Sequence, residues 1–317
     1  MKITVLDSAT LGEDLDLSPL SEVMHTEIYK TTPPEAVADR IAESDVIITN
    51  KIKLNESNLP NAKNLKLICL AATGYDNVDV AYCKKAGIAV CNVIGYSTQS
   101  VAQITAATAL SLVCHLQEQS ETVRSGRYTE SGVANSLTPV YHEIAGKTWG
   151  IVGYGNIGKQ VGKVADALGC RVIYNKRAPN GKPECVSLET LCKESDIITI
   201  HTPLSDSTRA IINSEMISLM KKDVVIVNEA RGAVTDEAAI ALAVKEGRIG
   251  AFGCDVYSVE PFGTDHPFYE IRDYTNVCLT PHMAWGAYES RVRCLNEIML
   301  NIKAFFNGEI RSRVDIK

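Results

Sequence analysis

The sequence predicts an α/β protein made of two doubly wound parallel-sheet domains with a cleft between them. Three observations lead there. Apolar runs of four to seven residues alternate with helical-period segments almost from end to end of the 317 residues. The runs are continuously apolar rather than alternating, as expected of parallel strands covered on both faces. They also fall into two groups, separated by a long apolar-periodic segment near residues 98–125 that reads as one helix.

In chain order, "KITVLD" reads as the first strand, because it lacks the longer apolar core and small-residue cleavage site of a signal peptide. "DVIITN", "LKLICLAATG" and "IAVCNV" complete the first group. The second comprises "TWGIVGYG", "RVIYN", "DIITIHTP", "DVVIVNEARG", "IGAFGCDVYS" and "NVCLTPH". The last helix, "ESRVRCLNEIMLNIKAFFNGE", is amphipathic and ends near Gly308. Its expected return to the first domain makes that domain discontinuous, residues 1–97 plus 285–317, around a second domain of residues 98–284. "RIAESDVIITN" (40–50) and "LCKESDIITIHTP" (191–203) echo each other and hint at related architecture in the two halves.

Hydrophobic residues make up 45% and charged residues 22%, enough for each domain to bury its own core. A formal net charge of −6 disfavours broad electrostatic attraction to nucleic acid or anionic membrane. No apolar run approaches the length of a bilayer span. Ten cysteines occur without a C-x-x-C pair, and Cys69, Cys254 and Cys278 lie within apolar runs. That pattern favours a reducing cytoplasm over a disulfide framework, and no Cys or His pair has metal-ligand spacing.

"TWGIVGYGNIGKQVGKVADALGCRVIYN" reads as one βαβ unit. Gly153, Gly155 and Gly158 follow a strand and open a helix, in the G-x-G-x-x-G spacing of a Rossmann dinucleotide site. The glycines permit the tight turn, the approach of backbone to pyrophosphate and close helix–strand packing, while the helix start supplies N–H groups. Alone the motif also fits a tight turn with no ligand; its strand–turn–helix–strand context favours the dinucleotide. An acid commonly ends the second strand to grip the ribose of NAD. Here Asn175 stands there, followed by Lys176 and Arg177. Two cations and no carboxylate suit the 2′-phosphate of NADP; equally, Asn175 could hold the ribose of NAD beside two solvated cations. The cofactor is NAD or NADP.

Ligands of open parallel sheets bind beyond the carboxyl ends of the strands. Arg231 follows "DVVIVNEA", Glu260 lies five residues past Asp255, and His282 follows "NVCLTP". Singly, each could be a surface arginine, a solvated glutamate or a hydrogen-bonded histidine. Together they supply what reduction of a ketone needs. A guanidinium holds a substrate carboxylate. An imidazolium donates a proton to the carbonyl oxygen. A carboxylate behind the imidazole orients it and favours its protonated form. The hydride comes from the cofactor.

"AATGYDNVDV" (71–80), "VGYGNIG" (152–158), "HTPLSDSTRAIIN" (201–213), "NEARGAVTDEAAI" (228–240), "GCDVYSVEP" (253–261) and "TPHMAWGA" (280–287) together resemble the D-isomer-specific 2-hydroxyacid dehydrogenase family along essentially the whole chain. The resemblance implies a flavodoxin-like substrate domain beside the Rossmann domain and a catalytic set Arg231, Glu260 and His282. It implies that backbone groups of Ala72, Thr73 and Gly74 approach the substrate carboxylate, with Thr73 near the cofactor. Asn156, Ile157, Asn175, Thr202, Pro203, Glu229, Ala230, Asp255, His282 and Ala284 fall at cofactor-contact positions. Family members are usually homodimers, with the helix near 98–125 at the interface. "NVIGYSTQSVAQ" (92–103) and Trp285 resemble the glycerate dehydrogenase, or hydroxypyruvate reductase, branch, where an indole favours a small substrate such as hydroxypyruvate or glyoxylate. Three positions depart from the pattern: Asn175 replaces an acid, Tyr75 is bulkier than that branch leads one to expect, and Glu229 puts a charge where small or uncharged residues are common. D-3-phosphoglycerate and D-lactate remain alternative substrates, although Lys51 and Lys53 offer few cations for a phosphate. Corepressors related to the family are the non-catalytic alternative, and the chain offers no appended tail for recruiting partners.

Overall fold

The structure is a computed structural model and describes residues 1–316. The chain forms two compact units, residues 1–97 with 286–317 and residues 98–285. The second crossing comes one residue later than the sequence suggests, so Trp285 belongs to the second unit.

In the first unit, β1 (Lys2–Val5), β2 (His25–Ile28), β3 (Val46–Thr49), β4 (Leu67–Leu70) and β5 (Ala89–Cys91) form a parallel sheet in the order β2-β1-β3-β4-β5. This is the flavodoxin-like order. β2 is absent from the apolar runs of the sequence. It is an edge strand, His-Thr-Glu-Ile, with no buried residue, so it carries no hydrophobic signature. Helices α1 (Pro19–Val23), α2 (Val37–Ile41), α3 (Val80–Ala86) and a C-terminal helix, Tyr288–Phe306, complete the unit. The C-terminal helix contributes buried Cys294, Leu295 and Ile298 against Val5, Ile48 and Ala71.

The second unit begins with α4 (Thr98–Val113), α5 (Leu116–Arg124) and α6 (Arg127–Ser131). The single long helix expected over 98–125 is therefore two. His115 breaks it with a φ of 51°, in the left-handed region. The break falls where burial ends: α4 buries Val101, Thr105, Ala109 and Leu112, whereas α5 buries nothing. A helix with no face to bury has no packing energy to hold it in line with its neighbour.

Six parallel strands follow: β6 (Thr148–Val152), β7 (Arg171–Asn175), β8 (Ile197–Ile200), β9 (Val225–Asn228), β10 (Ala251–Cys254) and β11 (Val277–Leu279), in the order β11-β10-β9-β8-β6-β7. Helices α7 (Asn156–Ala167), α8 (Leu188–Glu194), α9 (Ser214–Leu219) and α10 (Glu237–Lys245) connect them. The chain leaves β6 towards β7 and then crosses to β8 on the other side. That reversal opens a crevice above β6 and β8, where open sheets bind ligands. Ile198, Ile200, Ile226, Phe252 and Cys254 fill one side of the sheet; Trp149, Ile151, Val225 and Val227 pack on the other with Ala109 and Leu112 of α4.

α4 lies so close to β10 that a Cβ on Gly253 would stand 2.4 Å from Cγ2 of Thr108. A threonine methyl on a buried helix cannot swing aside. Gly253→Ala should therefore destabilise the protein by about 1–3 kcal/mol through overpacking, read as a lower urea midpoint at unchanged m-value.

Candidate active site

The register of the second sheet sets Val152, Ile200, Asn228, Cys254 and Leu279 in one row. The next residue on each strand is Gly153, His201, Glu229, Asp255 and Thr280. The parallel ladder continues into this second row through His201 N–H to Val152 O (2.7 Å), Asp255 N–H to Asn228 O (3.1 Å) and Thr280 N–H to Cys254 O (2.9 Å). The candidate site of this unit is built on that edge.

Its three glycines have three different surroundings. Gly153 has a φ of 94°, and a Cβ there would lie 2.6 Å from the Thr202 nitrogen, so the turn and the end of β8 touch backbone to backbone. A Cβ on Gly158 would stand 2.2 Å from the Gly153 oxygen. A Cβ on Gly155 would meet no protein atom within 4 Å. The first and third glycines are thus needed for packing, and the second borders open space at the start of α7, where Asn156 and Ile157 begin the helix. Open space, a helix N-terminus and its N–H groups fit a dinucleotide pyrophosphate. At the end of β7, Asn175 Nδ2 donates to Val186 O at 3.0 Å, Lys176 is half-buried and Arg177 exposed. Thr202 is half-buried and Pro203 exposed.

Arg231 leaves β9 in a turn held by Asn228, which is fully buried. Asn228 Nδ2 donates to Arg231 O, and Ala230 N–H donates to Asn228 Oδ1, both at 3.0 Å. The guanidinium donates to Ala230 O at 2.8 Å and meets no carboxylate among the described residues. Gly232 follows, and a Cβ there would fall 2.1 Å from the Tyr257 carbonyl carbon. Only glycine lets the Arg231 turn lie against the loop that carries Glu260.

Glu260 bridges that loop to the imidazole: Oε1 accepts the Tyr257 N–H at 3.0 Å, and Oε2 lies 2.6 Å from His282 Nδ1. A carboxylate on Nδ1 sets the ring's orientation and leaves Nε2 as the nitrogen on its far side. His282 adopts a φ of 53°, a region histidine tolerates at some cost when its surroundings impose it. Asp255 imposes it. Its Oδ1 accepts the Thr280 hydroxyl (2.6 Å) and the Met283 N–H (2.8 Å), and its Oδ2 accepts the Ala284 N–H (2.9 Å). Ala284 O in turn accepts the Ser100 hydroxyl at 2.5 Å, and Trp285 beyond it is half-buried. The Tyr257 hydroxyl donates to Thr280 O at 2.8 Å from the other side.

A second imidazole–carboxylate pair in this unit is of another kind. His266 Nε2 lies 3.1 Å from Glu237 Oε2, and His266 Nδ1 accepts the Phe268 N–H at 3.2 Å. Its side chains are 7% and 10% exposed, against 22% and 28% for His282 and Glu260, so His282 is the imidazole that a solute can reach. Glu237 also accepts the Ser258 N–H, which braces the Glu260 loop. Asn228, Tyr257 and Glu237 escaped the sequence reading, because nothing local marks a residue whose partner is distant in the chain.

Among the described residues, neither ring nitrogen of His201 and neither carboxyl oxygen of Glu229, both on this edge, has a hydrogen-bond partner. Burial pushes His201 down to about 3. Burial first, then the charge of Asp255, pushes the Glu229 carboxyl well above the usual carboxylate range.

In the first unit, Ala72, Thr73 and Gly74 follow β4 and are tied to the exit of β5. Val93 N–H donates to Ala72 O (3.0 Å), the Thr73 hydroxyl to Val93 O (2.8 Å) and Asn92 Nδ2 to Thr73 O (2.7 Å). Tyr75 is exposed. Among the described residues no group of His, Cys, Asp and Glu could hold a metal ion, and no helix is long and apolar enough to cross a membrane.

Residues 106–284 match the family described as D-isomer specific 2-hydroxyacid dehydrogenase, NAD binding domain. The chain is 34% identical to a hydroxypyruvate reductase of Blautia hydrogenotrophica, over 97% of this chain and 98% of that protein. It is 35% identical to a glyoxylate reductase of Thermococcus litoralis, over 89% of this chain and 86% of that one. Among solved structures it is similar to an NADPH-dependent glyoxylate/hydroxypyruvate reductase of Sinorhizobium meliloti in complex with NADP and malonate, with a TM-score of 0.85, 26% identity and coverage of 99% and 96%.

His201 gives this edge a testable acid sensitivity. Its folded pKa lies below the unfolded value of 6.5, so its stabilisation is complete above that value and is lost as pH falls towards 3. Between about pH 7 and about pH 5 the protein should lose about 2 kcal/mol on this account. His201→Leu should flatten that part of a stability–pH profile measured by urea unfolding.

Proposed function

The chain belongs to the D-isomer-specific 2-hydroxyacid dehydrogenase family, and on that premise we propose that it reduces a small 2-oxo acid of the hydroxypyruvate or glyoxylate type with NADH or NADPH. The product is the D-2-hydroxy acid, or glycolate from glyoxylate. The observation that carries this reading is the 2.6 Å contact between Glu260 Oε2 and His282 Nδ1, on the edge that also holds Arg231 and the glycine turn.

Gly153, Gly155 and Gly158 with the start of α7 would hold the dinucleotide, which when bound would supply the hydride. Arg231 grips the substrate carboxylate through two parallel N–H donors and so fixes the adjacent carbonyl. His282 delivers the proton on Nε2 to the carbonyl oxygen, and Glu260 stabilises the imidazolium before transfer and holds the ring afterwards. In the reverse direction the same nitrogen takes the hydroxyl proton. Trp285, three residues past the acid, is assigned to narrowing the pocket to a two- or three-carbon acid. Lys176 and Arg177 are assigned to the outer end of the adenosine ribose, where they favour a 2′-phosphate.

Ten free cysteines support work in a reducing cytoplasm. Exposed Leu116, Val123, Leu137, Val140 and Tyr141 support a homodimer that covers them, and sedimentation at micromolar concentration would read its mass.

A steady-state screen of hydroxypyruvate, glyoxylate, pyruvate and 3-phosphohydroxypyruvate against both reduced cofactors tests the substrate class. The first two should show the highest kcat/KM. Cofactor binding with no turnover on any acid would instead favour a dinucleotide-sensing protein. His282→Gln should lower kcat by about 10²–10⁴-fold with little change in KM. Arg231→Ala should raise KM by at least about tenfold through loss of a charge-assisted pair. Unaltered turnover in the histidine variant would reject the proposed donor.

A further inference from the structure

A cluster of the second unit takes no part in the chemistry assigned above: Glu237, Ser258 and His266. Glu237 is the first residue of α10. Its Oε1 accepts the Ser258 N–H at 2.8 Å, its Oε2 accepts the Ser258 hydroxyl, and the same Oε2 lies 3.1 Å from His266 Nε2. The Phe268 N–H occupies His266 Nδ1, which leaves the ring's proton to Nε2, facing the carboxylate. One carboxylate thus gathers donors from two separate points of the chain.

Those two points are the ends of the loop that carries Glu260. Residues 259–265, Val-Glu-Pro-Phe-Gly-Thr-Asp, run between them without helix or strand. Inside the loop the Phe262 ring packs back on the neck, 4.6 Å from the Tyr257 ring and 4.8 Å from that of His266. Beyond His266, fully buried Phe268 lies in a short 3-10 turn, Pro267–Tyr269, that packs against α10. Before Ser258, the backbone of Tyr257 lies against Gly232, next to Arg231. The ends of an irregular segment stay together only at a cost in chain entropy, which bonds across its neck must offset. Glu260 stands close to that neck, so whatever loosens the neck moves its carboxylate.

We infer that Glu237 is a positioning residue for proton transfer: by closing the neck of the 259–265 loop it holds Glu260 at its 2.6 Å contact with His282 Nδ1. It acts through Glu260 and is assigned no contact with substrate or cofactor. The side chains of Glu237 and His266 are 10% and 7% exposed, so water competes little for their bond. A proton donor and the group behind it must keep their geometry closely, because a misplacement of about 1 Å can cost on the order of a hundredfold in rate. The inference rests on the dehydrogenase reading above and adds to it a residue that the reaction needs at a distance.

A double-mutant cycle tests this. Hydride transfer is followed under single-turnover conditions, so that slow variants are still read, with hydroxypyruvate or glyoxylate and whichever reduced dinucleotide the wild type uses. The proteins are wild type, Glu237→Ala, Glu260→Ala and the double variant. Glu237→Gln, which keeps the side chain's size and an acceptor for Ser258, takes the place of alanine if that variant does not fold. Glu237→Ala should slow transfer by at least about tenfold, and Glu237→Gln by at least about threefold. The dinucleotide Kd and the KM of the oxo acid should stay within about threefold. Once Glu260 is replaced by alanine, the Glu237 substitution should slow transfer by no more than about twofold further. Equal losses in the two backgrounds would mark a general structural effect, and a loss confined to KM or Kd an effect on binding. Either result, or wild-type speed in the Glu237 variant, overturns the assignment and leaves the dehydrogenase reading intact. A wild-type protein that oxidises neither reduced dinucleotide with any 2-oxo acid overturns both.

Discussion

The geometry of the site depends on one buried carboxylate. Asp255 is 1% exposed and holds the segment Thr280–Ala284 by a hydroxyl and two backbone N–H groups. Those three bonds stabilise the left-handed backbone of His282, which free peptide would seldom adopt. They also offset the cost of burying the carboxylate, which without donors would be several kcal/mol. With the segment so pinned, the imidazole meets Glu260 without further adjustment, and the ring is oriented before any ligand arrives. Preorganisation of this kind is what makes a proton donor effective, since no reorganisation is needed at the moment of transfer.

Asp255 and Glu229 sit at neighbouring strand ends yet live under opposite conditions. One has three hydrogen-bond donors; the other has none and is driven towards its neutral form. Two carboxyl groups of one edge therefore meet different surroundings, one ringed by donors and one buried without any among the described residues. The same contrast separates the two histidines with carboxylate partners. His266 spends both ring nitrogens inside the unit and braces a loop through Glu237, whereas His282 presents its pair at a more open place. Residue type alone does not distinguish them; exposure and partners do.

The echo between residues 40–50 and 191–203 has a physical content. In each half the serine of Glu-Ser-Asp is fully buried. The following aspartate accepts the backbone N–H of the first residue of the adjacent strand: Asp45 from Lys2 and Asp196 from Thr148, both at 2.8 Å. A parallel strand begins with an unpaired N–H, and a carboxylate at the foot of its neighbour satisfies it. In the second unit this device anchors the foot of β6, the strand whose other end opens into the glycine turn.

What the sequence determined by itself is whatever has a short period or a short spacing. Continuous Val/Ile/Leu runs required parallel strands, the glycines at 153, 155 and 158 required a tight strand-to-helix turn, and Arg231, Glu260 and His282 were visible because each stands just past such a run. What only the tertiary structure decided depends on partners far apart in the chain. The edge strand His25–Ile28 forms because β1 offers it a ladder, and the helical segment breaks at His115 because the buried face ends there. Asp255 reads locally as one more acid at a strand end; its hold on Met283 and Ala284 crosses 28 and 29 residues. Glu229 reads as a charge on a turn, and only the folded surroundings show a buried carboxyl with no hydrogen-bond partner among the described residues. Local pattern specifies which groups reach the edge, but desolvation and hydrogen-bond supply are properties of the folded surroundings, and those set what each group can do.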